Sequence, residues 1–317
     1  MVETDKGPPV LFLMGPTAAG KTQLVIRLRQ SLPVDIISVD SAMVYKGMDI
    51  GTAKPSAEIQ AIAPHRLIDI CDPTETYSAA RFCQDARKEI NAIRSIGRIP
   101  ILVGGTGLYF RSLEHGLSEL PSADQETRKS LEEQAQVLGW EKMHARLAAV
   151  DPDAAIRIHP NDPQRIQRAL EVYELTGMAL TEHFSRGQTS GLPFRIIKLI
   201  AAPADRSILH RRISQRFHEM LDGGLVPEVE RLYQRGDLHP GLPAMRMVGY
   251  RQAWKYLEGQ LDYQQMIKHA IVATRQLAKR QLTWLRRETK SEWFDSQQPD
   301  HVYKILKYLE KNDKKTY

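Results

Sequence analysis

Short apolar runs alternate with helical patterns along the first hundred residues of the chain. Apolar runs of strand length occupy residues 10–14, 34–39, 66–70 and 99–103. Between them, residues 21–30 and 78–96 carry apolar side chains at the spacing of an amphipathic helix. Alternation of buried strands with helices is typical of a parallel sheet that has helices on both faces. We therefore predict an α/β core at this end of the chain.

The pattern changes near Leu120, where the chain becomes polar and rich in Gln, Arg and Glu. Candidate helices lie at residues 131–138, 141–150, 163–175 and 179–184. A strand pattern returns at residues 194–201, and most of the remaining chain is helical in pattern, with a last strand at residues 292–295. We predict an all-helical insertion at residues 120–193. The α/β core then consists of residues 1–119 and 194–317, and its C-terminal part is helical and basic.

Composition limits the class of protein. The chain has 317 residues, 42% of them hydrophobic, which is enough for one large domain or two modest ones. It has no run of about 18 apolar residues, so we expect no membrane span. The first nine residues lack the basic-then-apolar pattern of a signal peptide. The two cysteines, Cys71 and Cys83, are predicted to be reduced thiols of a cytoplasmic protein.

Positive charge is concentrated in one part of the chain. The formal net charge is +6, and residues 200–290 alone contain 16 Lys and Arg against 9 Asp and Glu. A localised basic excess is the pattern expected for a protein that binds a polyanion such as RNA. A basic surface that binds no partner is the alternative, and charge alone leaves the two interpretations open.

A glycine-rich motif joins the first predicted strand to the first predicted helix. It fits GxxxxGK[ST] at every fixed position and comprises Gly15, Pro16, Thr17, Ala18, Ala19, Gly20, Lys21 and Thr22. In such P-loops the backbone N–H groups point at phosphate oxygens, the lysine adds a positive charge, and the threonine hydroxyl binds Mg²⁺. The sequence therefore predicts a P-loop fold, like that of the nucleoside triphosphate hydrolases, with a phosphate site and bound Mg²⁺.

Two further segments follow predicted strands at the edge of the sheet where ligands bind. Asp40 follows the second strand, and its carboxylate is either a Mg²⁺ ligand, a general base or a structural helix cap. Thr106 lies in the turn Gly104-Gly105-Thr106, which either brings a hydroxyl to the ligand or is only a tight turn.

Several segments together resemble one family. They are GPTAAGKT at residues 15–22, DSAMVYKGMDIGTAKP at 40–55, GGTGLYF at 104–110, DPQRIQRAL at 162–170, RMVGYR at 246–251 and ATRQLAKRQLTWLR at 273–286. Over residues 10–295 the chain is similar to the tRNA dimethylallyltransferases, also called tRNA isopentenyltransferases. It resembles the bacterial members, which lack a zinc finger. Ala19, where relatives often have Ser, leaves the backbone of the loop intact.

The resemblance implies a reaction and its residues. Enzymes of this family transfer a dimethylallyl group from dimethylallyl diphosphate to N6 of adenine 37, beside the tRNA anticodon, and release diphosphate. Asp40 corresponds to the proposed general base, and Thr106 to a residue that holds the adenine or the diphosphate. Lys21 and Arg216 correspond to diphosphate-binding cations, and Ser41 adds to the substrate site. The adenine must leave the anticodon loop to reach a buried donor.

The resemblance also implies where tRNA binds. The expected contact residues are Asp40, Ser41, Ala42, Met43, Thr106, Arg128, Gln164, Arg165, Ile166, Gln167, Arg168, Arg246, Arg251, Arg275, Lys279, Arg280 and Arg286. Residues 270–287 are predicted to form one helix, with an apolar stripe toward the core and a row of cations outward for phosphates. A solvated amphipathic helix would show the same row.

Two other functions remain open at this stage. One is a P-loop kinase or an isopentenyltransferase that acts on a free nucleotide, although such a small acceptor requires neither the insertion nor the basic segment. The other is an RNA-binding protein whose P-loop switches its affinity through a bound nucleoside triphosphate. We expect the protein to be a monomer.

Overall fold

The computed structural model describes residues 7–187 and 190–313. The other residues, including most of the N-terminal segment considered above for a signal peptide, lie outside this part of the chain. The chain divides into two compact units. Met1–Leu113 and Pro193–Tyr317 form the sheet unit, and Glu114–Leu192 forms the helical unit. The phosphate site expected in the sheet unit and the tRNA contacts expected in the helical unit stay predictions.

A six-stranded sheet forms the centre of the sheet unit. Its strands are β1 (Val10–Met14), β2 (Val34–Val39), β3 (His65–Arg66), β4 (Ile99–Gly104), β5 (Ile196–Ala202) and β6 (Ser291–Asp295). All pairs are parallel, in the order β3-β2-β4-β1-β5-β6. The central strand β1 places Leu13 opposite Val103 on one side and Leu199 on the other. The predicted α/β class with a parallel sheet is confirmed.

Helices of the sheet unit connect and cover these strands. They are α1 (Lys21–Ser31), α2 (Ala57–Ile62), α3 (Ala79–Ser95), α4 (Gly107–His115), α10 (Arg206–Asp222), α11 (Leu225–Tyr233), α12 (Tyr250–Leu257), α13 (Tyr263–Leu285) and α14 (His301–Asp313). The helix expected at residues 270–287 begins earlier, at Tyr263, because Asp262 and Gln265 form a reciprocal capping box at its start.

The two faces of β1 pack into different parts of the core, as the two-residue period of a strand requires. Leu11 and Leu13 belong to one apolar cluster, together with Leu28 of α1 and Ile305 of α14. Phe12 points the other way, and its ring centre lies 5.0 Å from that of Phe110. Burial on both faces explains why β1 is apolar throughout. Within the described residues, no helix is both long enough and apolar enough to cross a membrane.

Strand β3 is shorter than the sequence pattern predicts. The expected strand covered residues 66–70, but only His65 and Arg66 pair with β2. Leu67 and Asp69 have positive φ angles of 62° and 55°. This left-handed conformation is incompatible with an extended strand. The prediction of a strand at residues 66–70 is therefore wrong beyond Arg66.

The helical unit contains α5 (Gln125–Leu138), α6 (Trp140–Val150), α7 (Pro152–Arg157), α8 (Pro163–Thr176) and α9 (Leu180–Ser185). Its core includes Leu131, Met143, Leu147 and Leu170. Helix α5 begins before the predicted residue 131 because the Asp124 side chain accepts a hydrogen bond from the Thr127 N–H group. The pattern missed α7, which is only one and a half turns long and begins with a proline.

Candidate functional site

The P-loop connects the end of β1 to the start of α1. A side chain at Gly15 would place its Cβ 2.2 Å from the carbonyl oxygen of Ala201, so only glycine fits beside β5. The Lys21 ammonium lies within the loop, where Nζ donates to the carbonyl oxygens of Gly15 at 2.9 Å and Pro16 at 2.8 Å. A compact positive charge is thereby held at the predicted phosphate site.

The environment of Lys21 alters its acidity. Burial lowers the pKa of Lys21 from 10.5 to about 8, against the opposing effect of the Asp40 charge, and the nearby Arg216 lowers it further. Burial likewise lowers the pKa of Arg216, with Glu219 acting in the opposite direction and Arg212 in the same one. An anionic ligand between Lys21 and Arg216 would be stabilised by both cations. The charge of that ligand would in turn favour the protonated form of Lys21.

Asp40 and Thr106 lie together at the carboxyl ends of β2 and β4. Oδ1 of Asp40 accepts hydrogen bonds from the N–H groups of Ala42 at 2.8 Å and Met43 at 3.4 Å. The N–H group of Ser41 donates to Oγ1 of Thr106 at 3.3 Å, which connects the two segments. One oxygen of Asp40 therefore holds the turn that follows β2. The helix cap that one of the sequence interpretations proposed is wrong, because residues 41–50 are not helical. The side chain also borders both cavities described next.

Of the three cavities that adjoin the P-loop, two are also bordered by Asp40. One, the P-loop cavity, has a volume of about 250 Å³ and is bordered by Lys21, Thr22 and Ser38. The other, the apolar cavity, has a volume of about 410 Å³ and is bordered by Ser41 and Thr106. The residues that border both cavities include Thr17, Ala18, Asp40, Gly105, Arg216 and Gln281. These six residues, here called the shared wall, separate the cation-lined space from the apolar one.

The apolar cavity takes its name from its lining. Helix α10 contributes Ile213, Phe217 and Met220, and α13 contributes Leu277 and Trp284. An apolar chamber beside the half-buried cations Lys21 and Arg216 suits a ligand that has a hydrocarbon tail and an anionic head.

The oxygen groups around the P-loop cavity fit a magnesium ion. The Thr22 hydroxyl and the Asp40 carboxylate both border this cavity, together with Lys21. Mg²⁺ prefers oxygen ligands and is usually held by one or two protein groups together with phosphate oxygens of the substrate. The donor set here matches that arrangement, with the phosphate oxygens still to be supplied by a ligand.

Gln281 and Trp284 are among the residues of the site that the sequence analysis did not assign. Gln281 on α13 accepts from the Thr17 N–H group through Oε1 at 2.8 Å and donates from Nε2 to the Gly105 carbonyl oxygen at 3.1 Å. Trp284, left unassigned from sequence, borders the apolar cavity. The signal that could have identified Gln281 is its position directly beside Leu282, a residue that is buried on the core side of the helix.

A buried carboxylate fixes a second wall of the site. Glu228, only 2% exposed, accepts from the N–H groups of Asp49, Ile50 and Gly51 at 2.8–3.1 Å. The Tyr250 hydroxyl donates to the same carboxylate at 2.5 Å. Burial, reinforced by the Glu228 charge, raises the pKa of Tyr250, so this hydroxyl remains a donor. The two residues that follow Gly51 border both cavities.

Most predicted RNA-binding cations of the sheet unit are exposed. They are Arg246, Arg251, Lys279, Arg280 and Arg286. Arg246 and Arg280 also border the apolar cavity. Arg275 differs from the outward row predicted for it, because it is half-buried and its Nε is buried with no hydrogen-bond partner among the described residues.

In the helical unit, several predicted RNA contacts already have protein partners. Arg128 and Arg168 both bind the fully buried carboxylate of Glu171, at 2.8–3.2 Å. Gln167 donates to the Arg128 carbonyl oxygen and to Glu132.

The remaining predicted contacts of α8 divide by exposure. Gln164 and Arg165 are exposed. Ile166 is 0% exposed and its side chain packs in the core of the helical unit, so the assignment of residue 166 to the RNA-binding segment stays a prediction without support from its side chain. Because the whole DPQRIQRAL segment was assigned by resemblance, the sequence reasoning did not separate its buried face from its exposed one.

The fold and the site together define a P-loop α/β protein in which the P-loop cavity adjoins the apolar cavity. The chain matches a family model described as IPP transferase over residues 43–288. It belongs to the IPP transferase family.

Similar proteins agree with this assignment. The chain is 60% identical over 293 residues to a tRNA dimethylallyltransferase of Thioalkalivibrio sulfidiphilus, covering 92% of each chain. It matches the crystal structure of a full-length tRNA isopentenylpyrophosphate transferase from Bacillus halodurans with a TM-score of 0.71 and 35% identity, over 98% of this chain and 99% of that one. It also matches a eukaryotic dimethylallyltransferase, crystallised acting on tRNA, with a TM-score of 0.75 and 29% identity, over 91% of this chain and 74% of that one.

Proposed function

We propose that this protein transfers a dimethylallyl group from dimethylallyl diphosphate to N6 of adenine 37 in tRNA and releases diphosphate. The observation that carries this proposal is the shared wall between the two cavities. The P-loop cavity with Lys21 and Arg216, the apolar cavity and the Asp40 carboxylate lie next to one another. This arrangement suits a diphosphate, a five-carbon tail and a proton acceptor. Membership of the IPP transferase family supports the same reaction.

The first requirement of this reaction is stabilisation of the leaving group. Negative charge builds on the diphosphate as the bond between C1 of the donor and oxygen breaks, and preorganised charges lower that barrier. Lys21, Arg216 and the loop amides are the groups that bind the diphosphate. Thr22, with Asp40 close by, would hold a Mg²⁺ ion, and such an ion neutralises phosphate charge when bound.

The second requirement is an activated acceptor. The exocyclic amine of adenine is a weak nucleophile, because its lone pair is delocalised into the ring. The Asp40 carboxylate accepts the proton that this nitrogen loses as the new N–C bond forms. The adenine must leave the anticodon loop to reach Asp40, and it enters through the apolar cavity beside Thr106.

The third requirement is a surface that offsets the unstacking of adenine 37. The exposed cations Arg246, Arg251, Lys279, Arg280 and Arg286 bind phosphates in this proposal, and Gln164 and Arg165 of the helical unit add further RNA contacts.

We further propose that the protein acts as a monomer in the cytoplasm. Light scattering of the purified protein tests the oligomeric state.

A choice of acceptors tests the proposed function. The protein is incubated with labelled dimethylallyl diphosphate, Mg²⁺ and either anticodon stem-loop RNA or AMP. We expect label transfer to the RNA alone. Transfer to AMP would indicate an enzyme that acts on free nucleotides. Absence of transfer, combined with RNA binding that depends on a nucleoside triphosphate, would indicate a switched RNA-binding protein.

A further inference from the structure

The Gln281 side chain connects the P-loop to the turn that follows β4. Its carboxamide uses both ends, since Oε1 accepts from the N–H group of Thr17 and Nε2 donates to the carbonyl oxygen of Gly105. Gln281 borders both cavities, and so do its two partners. We propose that Gln281 is a positioning residue that fixes the place of the shared wall, beside which the donor carbon meets the acceptor nitrogen. This inference rests on the proposed prenyl transfer.

The fit around the carboxamide is tight. A Cβ at Gly105 would lie 2.4 Å from Nε2 of Gln281 and 3.1 Å from the Gly15 carbonyl oxygen, so a side chain at residue 105 would displace the carboxamide. One turn further along α13, the Trp284 ring lies 6.3 Å from the Phe110 ring, centre to centre. Helix α13 therefore contacts the turn after β4 through Gln281 and the next helix, α4, through Trp284. This arrangement fixes the carboxamide relative to the turn.

The bond to Thr17 has a direct consequence for the P-loop. One backbone N–H group donates one strong hydrogen bond, so the Thr17 amide is committed to Gln281 and does not serve the phosphate. The diphosphate is left to the later amides of the loop and to Lys21. Gln281 thus determines where the first residues of the loop lie, and with them one side of the shared wall.

The consequence for the reaction follows from its geometry. Displacement at C1 requires the acceptor nitrogen, the carbon and the departing oxygen to be aligned, and misplacement by about 1 Å costs on the order of 10²-fold in rate. Loss of the Gln281 connection should therefore slow the chemical step while both substrates still bind. A residue that only stabilised the fold would change the amount of folded enzyme and leave the rate per folded molecule unchanged.

The Gln281→Met variant tests this role, because methionine has a similar length and cannot form either hydrogen bond. Gln276→Met is the matched control, since Gln276 lies on the same helix and is exposed. Single-turnover rates are measured with saturating dimethylallyl diphosphate, Mg²⁺ and stem-loop RNA. Binding of the RNA and thermal unfolding are measured on the same preparations. Hydrogen exchange of the Thr17 amide is followed in the absence of substrates.

We expect Gln281→Met to slow the single-turnover rate about 10- to 100-fold, with RNA affinity within about threefold of wild type. The Thr17 amide should exchange faster in this variant and unchanged in the control. A wild-type rate, a rate loss explained by unfolded protein, or unaltered Thr17 exchange would overturn the proposal. If the unsubstituted protein transfers no prenyl group, the proposed function fails, whereas the exchange result still decides whether Gln281 holds the loop.

Discussion

Asp40 shows how one side chain can serve both structure and chemistry. Its Oδ1 holds the turn after β2 through the N–H groups of Ala42 and Met43. The same carboxylate borders both cavities. The sequence left Mg²⁺ ligand, general base and helix cap as alternatives, because a single position after a strand cannot distinguish them. The structure shows a carboxylate that holds a turn and borders both cavities, and its role as base stays a proposal.

The Asp40→Asn variant separates these two roles. Asparagine keeps an oxygen in the position of Oδ1, so the turn should be preserved, but its amide cannot accept the proton of the acceptor amine. We expect the chemical rate to fall about 10²- to 10⁴-fold, with the affinity for stem-loop RNA nearly unchanged. The measurement is single-turnover transfer beside an equilibrium RNA titration. Equal losses in rate and affinity would show that Asp40 does not act as the base.

Lys21 gives the donor site a pH dependence. Its pKa of about 8 means that the free enzyme loses the ammonium charge as the pH rises through about 8. Because a bound diphosphate favours the charged form, the KM for dimethylallyl diphosphate should rise above that pH while kcat changes less. Steady-state kinetics from about pH 7 to 9 test this. In Lys21→Arg the charge persists and the trend should vanish. A flat wild-type profile would contradict the assignment.

Residues of the site differ in how far they could be predicted from sequence. The P-loop has fixed spacing, so Lys21 and Thr22 follow from the motif. Gln281 and Glu228 act on backbone groups at least 170 positions away in sequence, and hydrogen bonds to backbone leave no motif at the partner. Ile166 shows the opposite limit, because resemblance assigned the whole segment to RNA and could not show that this side chain is buried.

At the scale of elements, helix α13 has one side that packs against the sheet unit and another that is exposed. Ala278, Leu282 and Leu285 are buried against the sheet unit. Gln281 reaches the P-loop, and Lys279 and Arg286 are exposed. The apolar stripe and most of the outward row were predicted from the period of 3.6 residues. The start of the helix was missed because the cap at Asp262 lies outside the apolar stripe.

Lys279→Ala tests whether the outward row binds RNA phosphates. Removing one phosphate contact should weaken stem-loop binding and reduce the slope of log K against log salt concentration by about 1. Lys88→Ala on α3 is the control, since Lys88 is also exposed and lies outside the proposed RNA surface. Titrations at several salt concentrations measure both slopes. If the Lys279→Ala slope equals that of the control, the row is only a solvated face.

The helical unit depends on Glu171 of α8. Burial would raise the pKa of Glu171, but bonds from Arg168 and Arg128 outweigh burial and the pKa is lowered. Its stabilising contribution is therefore present above the ordinary value of 4.5 and is lost as the pH falls below it. Removal of this fully buried carboxylate leaves two arginines without their partner.

We expect Glu171→Ala to destabilise the helical unit by about 3–5 kcal/mol at neutral pH. Hydrogen exchange of the helical unit in the full chain measures the loss. Glu133→Ala is the control, because Glu133 is an exposed member of α5 that makes a surface ion pair with Lys129. That change should cost less than about 0.5 kcal/mol. An equally small effect for Glu171→Ala would mean that the arginine network is not needed for stability.

At the scale of the molecule, the alternation of elements was enough to predict the class of fold. The strands at residues 10–14 and 34–39 were predicted at their observed ends, because fully buried parallel strands are apolar throughout. The loops between them were not predictable in the same way. Leu67 and Asp69 interrupt an apolar run through backbone conformation, which residue type alone does not reveal.

The central claim is that the P-loop holds a leaving diphosphate and that the prenyl group moves to adenine in tRNA. A donor labelled with carbon-14 in the dimethylallyl group and phosphorus-32 in the diphosphate tests both parts in one reaction with tRNA and Mg²⁺. The account predicts carbon label on N6 of adenine 37 and an equal amount of phosphorus label released as diphosphate. Phosphorus label in the RNA, or diphosphate release without carbon transfer, would contradict it.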